Sequence, residues 1–269
     1  MINLKNTSGL DIMYNNDRRK IILSDNVIVT AVAQKLLRQM QSVIINDNLV
    51  CPEIFYTIYA HVFRKKDDAF WKQCGLVYDL TFILPNLAGI EFVKTFGHYN
   101  DIDEMNPDGM AEIIEVTYGS GIVILQKPQK KEVVEKITSI NDLYDFDILS
   151  EVHIVKITKG DKLVIPPGYA YIVINTKNQL LAIGTLSALK RRPIIEPLYR
   201  FHGGAYYLIR KNARQEIVKN PHYKQIAKIK KSKTTDFNSL LQTKSSQPLY
   251  LQAIRNPDKF DFLLRSKEK

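Results

Sequence analysis

The side chains that could do chemistry are few in this chain, and their spacing excludes several kinds of site. The two cysteines, Cys51 and Cys74, are too few for a disulfide framework or a four-thiolate zinc site, so we expect buried, reduced thiols. A small secreted scaffold is thereby excluded. The five histidines stand apart in the sequence, and isolated histidines are usually hydrogen-bonded surface or core residues. They are His61, His98, His153, His202 and His222.

The net charge of +10 raises the question of a nucleic-acid partner, so its position along the chain matters. Residues 219–269 hold 12 Lys/Arg and 4 Asp/Glu, a net of +8, which leaves +2 for residues 1–218. This basic segment has no zinc-ligand pattern, no aromatic RNA-binding signature and no basic zipper. Because a charge run is usually a solvated face, we do not expect a nucleic-acid partner.

The hydrophobic pattern predicts the elements that must position any site. Residues 53–187 contain nine strand-length runs rich in Ile, Val, Tyr and Thr, each bounded by Gly, Pro, Asn or Asp. Since no long helices separate them, the runs indicate an antiparallel β-sandwich or barrel rather than a parallel sheet. Upstream, residues 30–42 place apolar residues at helical spacing, which predicts an amphipathic helix.

This pattern divides the chain into three regions. We predict an N-terminal extension with a helix at 1–50, a β-barrel at 51–218, and a basic C-terminal tail at 219–269 whose short helices dock on the barrel through an apolar face. The first residues lack the apolar core of a signal peptide, and no run approaches the ~20 apolar residues of a membrane span. We therefore expect a soluble, cytoplasmic protein without a membrane partner.

Five sequence blocks between Pro52 and Tyr223 resemble, in order and spacing, the cupin-type glucose-6-phosphate isomerases, a metal-dependent family found in archaea and some bacteria. The blocks are PEIFYTIYAHVF, GLVYDLTFILPNLAGIEFVKTFGHY, AEIIEVTYGSGIVILQK, GDKLVIPPGYAYIVINT and GGAYYLIRKNARQEIVKNPHY. The resemblance implies a mainly β fold, namely a cupin double-stranded β-helix barrel, and a homodimer. It also implies a phosphosugar substrate, because the family interconverts glucose 6-phosphate and fructose 6-phosphate.

The resemblance further implies a divalent metal, iron, manganese, nickel or zinc, held by a Gly-His-x-His block, a Glu and a last His. His98 and Glu112 stand where the family has its first His and its Glu. Asn100 replaces the second His and Tyr171 replaces the last, and an amide or a protonated phenol binds such ions weakly. A tightly bound metal is therefore not expected. Replacement ligands could come from the following loop, although acidic surface loops usually bind nothing: Asp101, Asp103 and Glu104.

The phosphate-binding residues of the family are better preserved than its metal ligands. The resemblance implies that Thr81, Thr95 and Gly97 hold the sugar phosphate. Hydroxyl donors and a backbone N–H at a glycine that permits close approach can cradle a phosphate without any lysine.

Substrate contacts are implied for tyrosines at two further places. The strand segment FYTIY offers Tyr56 and Tyr59, of which we favour Tyr59, and Tyr199 would close the pocket. His202 lies beside Gly203-Gly204, where family members carry a basic residue, so we expect it near the pocket or the phosphate.

Two functional hypotheses from different classes follow. The first is a phosphosugar isomerase in which Glu112 moves a proton between C1 and C2, and in which His98, Asn100 and Tyr171 stabilise the enediolate if no metal is bound. The second is a catalytically inactive cupin that binds a phosphosugar or acts as an interaction module. The altered ligands favour the second hypothesis, whereas the retained His98–Glu112 pair and phosphate residues favour the first.

Overall fold

A computed structural model gives the fold, and it describes residues 1–46, 49, 54–132, 136–241 and 246–265. Cys51 and the predicted boundary at residue 50 lie outside the described residues. Within them the chain is mainly β, as the sequence predicts. Cys74 is a partly buried free thiol, and this burial raises its pKa.

The strands run from residue 2 to residue 232. In chain order they are β1 (Ile2–Asn3), β2 (Ile12–Asn15), β3 (Lys20–Leu23), β4 (Val27–Leu36), β5 (Ile54–Arg64), β6 (Leu76–Ile83), β7 (Leu87–Ala88), β8 (Glu91–Phe92), β9 (Tyr99–Asn100), β10 (Glu112–Tyr118), β11 (Ser120–Lys130), β12 (Tyr144–Thr158), β13 (Lys162–Ile165), β14 (Ala170–Ile174), β15 (Leu181–Ala188), β16 (Pro193–Ile194), β17 (Tyr206–Lys211), β18 (Arg214–Lys219), β19 (Gln225–Ile226) and β20 (Ile229–Ser232).

The helices between the strands are short. The α-helices are α1 (Lys5–Ser8), α2 (Leu37–Met40), α3 (Asp68–Gln73), α4 (Ile140–Leu143), α5 (Glu196–Arg200), α6 (Phe237–Leu241) and α7 (Leu249–Arg255). Gln41–Val43, Lys65–Asp67 and Pro257–Leu263 form 3-10 helices. None of the helices in the described ranges has the length and apolar character needed to cross a bilayer.

Two large sheets enclose the main core. The larger sheet has the strand order β13-β10-β15-β6-β5-β4, and the second has β14-β11-β12, with β19 and β20 both pairing with β12. Ile114 of β10, Ile124 of β11 and Val173 of β14 all belong to one buried apolar cluster, which we call the inner core. Two sheets sharing one core agree with the sandwich or barrel that the strand pattern predicts.

The outer face of the larger sheet carries a second apolar cluster, which the C-terminal tail covers. Leu80 and Phe82 of β6 belong to this outer cluster together with Tyr250 of α7. Because successive side chains on a strand point to opposite faces, Asp79 and Thr81 point toward the inner core. The larger sheet is therefore a single layer that separates the tail from the barrel interior.

The helix predicted for residues 30–42 is wrong over most of its length. Val27–Leu36 form β4, which pairs with β5, and the α-helix is confined to Leu37–Met40. Val32, which the predicted helix would bury, is 58% exposed on this edge strand. Pairing with a long neighbouring strand overrides the helical spacing, since β-branched residues suit a pleated surface. In the predicted strand run GIEFVKTFG, only Glu91–Phe92 form a strand.

A buried glutamate, Glu115, joins the tail to the larger sheet. Lys162 Nζ lies 2.9 Å from Glu115 Oε1, and the backbone N–H of Leu249 donates to Glu115 Oε2 at 2.8 Å. Burial raises the pKa of Glu115 to about 7, although Lys162 and the Leu249 N–H act in the opposite direction. Specific polar contacts therefore add to the apolar packing of α7.

Tyr250 lies at the centre of this docked tail, and we expect Tyr250→Phe to lower the free energy of unfolding by about 1–3 kcal/mol. Its hydroxyl donates to Asp67 Oδ2 at 2.7 Å and accepts from the backbone N–H of Arg64 at 2.9 Å, so the phenylalanine leaves both groups without this partner. Urea denaturation followed by the fluorescence of the single tryptophan, Trp71, which stacks on Tyr250 at 5.3 Å, measures the effect. Tyr199→Phe is the matched control at a side chain that is 61% exposed, and an equal effect of both substitutions contradicts the prediction.

Candidate functional site

Glu112 is the centre of a polar cluster inside the barrel. It is the first residue of β10, where it pairs with Ile165 of β13 and Ser187 of β15, and it is fully buried. Its side chain shares a face with Ile114, which belongs to the inner core, because residues two apart on a strand point the same way. A carboxylate at this depth requires hydrogen-bonding or charged partners.

Three residues that the sequence placed at metal-ligand positions converge on this carboxylate. His98 Nε2 lies 3.0 Å from Glu112 Oε1, and Asn100 Nδ2 donates to the same oxygen at 2.9 Å. The Tyr171 hydroxyl donates to Glu112 Oε2 at 2.8 Å. His98 and Tyr171 also form a β-bridge, and their rings meet edge to face at 5.1 Å. The structure therefore brings together all four positions matched to the family's metal ligands.

Two further charged residues join the cluster, and the sequence reasoning missed both. Arg191 Nη2 donates to Asp79 Oδ2 at 3.0 Å, and Arg191 Nε lies 3.4 Å from Glu112 Oε1. Asp79 could have been suspected from the sequence, because it is a charged residue within the apolar strand run LVYDLTFIL. Arg191 offers no comparable signal, since it follows a lysine and precedes another arginine in a loop.

The strand order explains how Arg191 reaches both carboxylates. β15 lies between β6 and β10, with Thr185 opposite Asp79 on one side and Ser187 opposite Glu112 on the other. Arg191 follows β15 by three residues, so its side chain returns over the end of the inner face. The guanidinium thereby links side chains from the two strands that flank β15.

These contacts fix the ionisation of the cluster. Burial alone would raise the pKa of Glu112, but the charges of His98 and Arg191 and the Asn100 donor outweigh it and lower the pKa to about 2. Burial and the Glu112 charge raise the pKa of Tyr171 well above its usual value. Although burial opposes it, Glu112 and Asp79 raise the pKa of Arg191. At neutral pH the cluster therefore holds carboxylate, guanidinium and neutral phenol.

Asn100, Tyr171 and Arg191 present donor groups to Glu112 and do not complete a metal-ligand set with it. Asn100 Nδ2 donates to the Met110 carbonyl at 3.1 Å as well as to Glu112, which turns the amide nitrogen toward the carboxylate. Tyr171 also donates its hydroxyl proton, and Arg191 adds a positive charge. Within the described ranges no three or more His, Cys, Asp or Glu side chains form a group that could hold an ion. The residues present therefore do not fit the divalent metal implied by the resemblance.

The carboxylates considered as replacement ligands bond elsewhere. Asp101 Oδ1 accepts from the backbone N–H of Ile140 at 2.8 Å, and Asp103 Oδ1 accepts from Asn106 Nδ2 at 2.9 Å. Glu104 is exposed. The structure does not bring these three side chains to Glu112, and two of them organise their own loop and its neighbour.

The residues matched to the phosphate site lie on two segments of the barrel. Thr81 is on the inner side of β6 and is 7% exposed. Thr95 Oγ accepts from the backbone N–H of Val173 at 3.0 Å, which attaches its segment to β14. Gly97 has φ +83°, and a Cβ at this position would lie 2.6 Å from Ile172, so this close approach requires glycine.

Of the two tyrosines in FYTIY, the structure places Tyr56 rather than Tyr59 on the inner side. Tyr59 belongs to the outer cluster, meets Phe82 edge-on at 5.5 Å, and accepts at its hydroxyl from the Ile21 N–H at 3.3 Å. Tyr56 belongs to the inner core, and its hydroxyl accepts from the Phe96 N–H, between Thr95 and Gly97, at 3.3 Å. Residues three apart on a strand point to opposite faces, so only one of the two can enter the barrel.

Tyr199 and His202 lie at the surface. Tyr199, on α5, is 61% exposed, and the adjacent Leu198 is buried in the inner core. His202 is exposed and stacks on His222 with ring centroids 4.2 Å apart. The structure places neither side chain against Glu112.

A cavity of about 1080 Å³ is lined by residues that neighbour the polar cluster in sequence, but its wall includes none of His98, Glu112 and Arg191. Its wall includes Met110, whose carbonyl accepts from Asn100, and Arg192, which follows Arg191. Lys130 and Lys190 also line it, together with Asp103 and Glu104, so the cavity wall carries charges of both signs.

Comparisons with known proteins identify the family. A family model for glucose-6-phosphate isomerase (GPI) matches residues 37–225, well over half of the chain. The chain therefore belongs to the glucose-6-phosphate isomerase family, in its cupin-type branch. No curated protein matches it.

Solved structures show only a distant likeness. The coconut allergen cocosin is 13% identical with a TM-score of 0.33, and the match covers 60% of this chain and 31% of cocosin. Vicilin from hazelnut (Corylus avellana) is 16% identical with a TM-score of 0.33, and the match covers 52% of this chain and 32% of vicilin. The chain thus spans about a third of the length of these two proteins.

Proposed function

We propose that this protein binds a phosphosugar in the manner of its family but does not carry out the family's metal-dependent isomerisation. The observation that carries the proposal is the environment of Glu112. Its two carboxylate oxygens already lie within hydrogen-bond distance of His98, Asn100 and Tyr171. In addition, Arg191 Nε lies 3.4 Å from Glu112 Oε1. The interior carboxylate is therefore already engaged by side chains of the same chain.

Aldose–ketose isomerisation needs a base for the proton at C1 or C2 and a positive group for the enediolate oxygens. A carboxylate with a pKa of about 2 is a weak proton acceptor at neutral pH, because an effective general base has a pKa near the working pH. The donors around Glu112 would also have to be released before a sugar could reach its oxygens. Both points favour binding without efficient turnover.

Phosphosugar binding is supported by family membership together with the inner-face position of Thr81 and the tight backbone at Gly97. We infer that the phosphate lies near the segment 95–97 and that Tyr56 takes the inner-face role assigned from the sequence to Tyr59. A homodimer, as in the resembling enzymes, is part of the same proposal, and light scattering of the purified chain tests it.

A second candidate function is a slow, metal-free isomerase. The observation in its favour is the Arg191 guanidinium beside Glu112, since a fixed cation can stabilise a developing oxyanion. In this case Arg191 and His98 would take the electrostatic role, and Glu112 would remain the base.

An isomerase assay combined with a binding measurement separates these functions. Metal-stripped protein is assayed with glucose 6-phosphate and fructose 6-phosphate, alone and with Fe²⁺, Mn²⁺, Ni²⁺ or Zn²⁺, and calorimetry measures fructose 6-phosphate binding. We expect binding without turnover under every condition. Turnover restored by one ion contradicts the proposal, turnover without any ion supports the second candidate, and absence of binding eliminates the phosphosugar site.

Thr81→Val is expected to weaken fructose 6-phosphate binding about tenfold or more, because a hydrogen bond to a charged group is worth roughly 1.5–3 kcal/mol. Valine keeps the shape of threonine, so the fold should be preserved. Thr57→Val is the matched control, because Thr57 on β5 lies opposite Phe82 of the outer cluster. Calorimetric Kd values of both variants test the prediction, and equal Kd values would place the phosphate elsewhere.

A further inference from the structure

Arg191 occupies an unusual position for a loop arginine. Its side chain is 19% exposed and makes ion pairs with two carboxylates, Asp79 and Glu112, whose side chains are 10% and 0% exposed. The two carboxylates come from β6 and β10, on either side of β15. The guanidinium therefore lies within the polar cluster, at the carboxylate that the family uses for its metal.

We propose that Arg191 is an internal cation that takes the place of the metal at Glu112 and excludes a divalent ion from the barrel. This inference rests on the proposed absence of metal-dependent chemistry. A metal ligated by a carboxylate oxygen lies about 2.0–2.2 Å from that oxygen. An ion at this distance from Glu112 Oε1 would come close to a guanidinium whose Nε is only 3.4 Å from the same atom. Two cations would then share one buried carboxylate.

Two buried polar atoms of the cluster lack hydrogen bonds among the described residues, which agrees with the replacement of a metal ion by the Arg191 guanidinium. Arg191 Nε and Asn100 Oδ1 are buried, and neither has a hydrogen-bond partner within the part of the chain that is described. An arginine evolved for structural pairing alone usually satisfies its donors, often in a two-pronged contact with one carboxylate. Arg191 instead divides its contacts between Asp79, to which Nη2 donates, and Glu112, near which Nε lies without forming a hydrogen bond.

The inference explains why the loss of two histidines does not leave Glu112 as an uncompensated buried charge. Such a charge is strongly unfavourable unless it is paired. Arg191 supplies the positive charge that pairs with it, while His98, Asn100 and Tyr171 lie within hydrogen-bond distance of its oxygens. It follows that restoring the missing histidines alone will not restore metal binding.

The test rebuilds the family's ligand set with and without the arginine. One variant carries Asn100→His and Tyr171→His with Arg191 retained. A second adds Arg191→Met together with Asp79→Asn, so that removal of the guanidinium does not leave Asp79 as an unpaired charge. Ni²⁺ and Zn²⁺ affinity and stoichiometry are measured by calorimetry and by metal analysis after dialysis. We expect the second variant to bind one ion per chain at least 100-fold more tightly than the first.

A charge-retaining control separates electrostatics from packing. Arg191→Lys in the two-histidine background keeps the cation, and we expect its metal affinity to remain as low as that of the parent. Equal affinities of the two-histidine variant and the arginine-free variant overturn the proposal, as does tight binding by the lysine variant. Failure of every folded rebuilt variant to bind an ion overturns it as well.

Folding of each variant is checked by circular dichroism. If the four-substitution protein does not fold, Arg191→Gln in the two-histidine background, with Asp79 unchanged, gives the same comparison. The ratio of metal affinities between rebuilt variants does not depend on phosphosugar binding. The proposed function is judged separately, on wild-type protein, by fructose 6-phosphate binding and by the effect of added metal on turnover.

Discussion

Arg191→Met in the wild-type chain is expected to lower the free energy of unfolding by about 3–5 kcal/mol, the usual cost of breaking a buried ion pair by removing one partner. Methionine keeps much of the side-chain length but leaves Asp79 and Glu112 without their shared cation. Among the contacts described above, Glu112 then keeps only the hydrogen-bonding partners His98, Asn100 and Tyr171. For a chain of this size such a loss corresponds to a decrease of roughly 10 °C in melting temperature.

The neighbouring arginine provides a matched control. Arg192→Met removes the same charge one residue later in the loop, but the Arg192 side chain is 62% exposed and lies 3.6 Å from Asp101. Exposed ion pairs contribute about 0–1 kcal/mol, so the melting temperature should change little. Thermal unfolding of both variants at the same pH and salt makes the comparison. Equal decreases would show that the Arg191 pairs do not stabilise the fold.

Acid should weaken the fold in a way that depends on Glu112. Its pKa is about 2 in the folded protein, against an ordinary value of 4.5. A carboxylate whose pKa is lowered on folding stabilises the protein above its unfolded pKa and loses that contribution as the pH falls toward its folded pKa. The contribution is therefore present above pH 4.5 and lost between pH 4.5 and about 2. Its size is about 3 kcal/mol, because each pKa unit corresponds to about 1.4 kcal/mol.

Urea denaturation at several pH values between 6 and 3 measures this effect. We expect Glu112→Gln to be less stable than the wild type at pH 6 and to approach it as the pH falls, since the glutamine cannot be protonated. Glu104→Gln, at an exposed position in the loop after β9, is the matched control and should keep the wild-type slope. A difference between Glu112→Gln and wild type that does not change with pH would exclude Glu112 as the acid-sensitive group.

The sequence predicts most of the β architecture, because most strand runs are apolar and bounded by turn residues; the run GIEFVKTFG, of which only Glu91–Phe92 form a strand, is an exception. It fails at residues 30–42, where helical spacing competes with pairing to β5, a tertiary contact that periodicity in one segment cannot reveal. The tyrosine choice fails for a different reason. Alternation along β5 requires Tyr56 and Tyr59 to point to opposite faces of the sheet. Which of the two faces the inner core depends on how the sheets pack, and the sequence of one strand does not reveal this.

The candidate site is predicted in its composition but not in its chemistry. The matched positions His98, Asn100, Glu112 and Tyr171 do meet in the structure. Sequence spacing could not predict that the Arg191 guanidinium joins them. Arg191 lies in the loop after β15, and it reaches Asp79 and Glu112 only because β15 lies between β6 and β10 in the sheet. Asn100 and Tyr171, which are poor metal ligands, are hydrogen-bond donors to a carboxylate that is ionised at neutral pH.

β10 links the interior of this barrel to its surface over a span of four residues. Glu112 faces the polar cluster, and Glu115, three residues later, faces outward to Lys162 and the first N–H of α7. Detaching the tail would remove the Leu249 donor from Glu115 on the reverse side of the strand that positions Glu112. The docking contact of the basic tail therefore lies three residues from Glu112 on the same strand, and the tail covers the outer face of the sheet whose inner face carries the polar cluster.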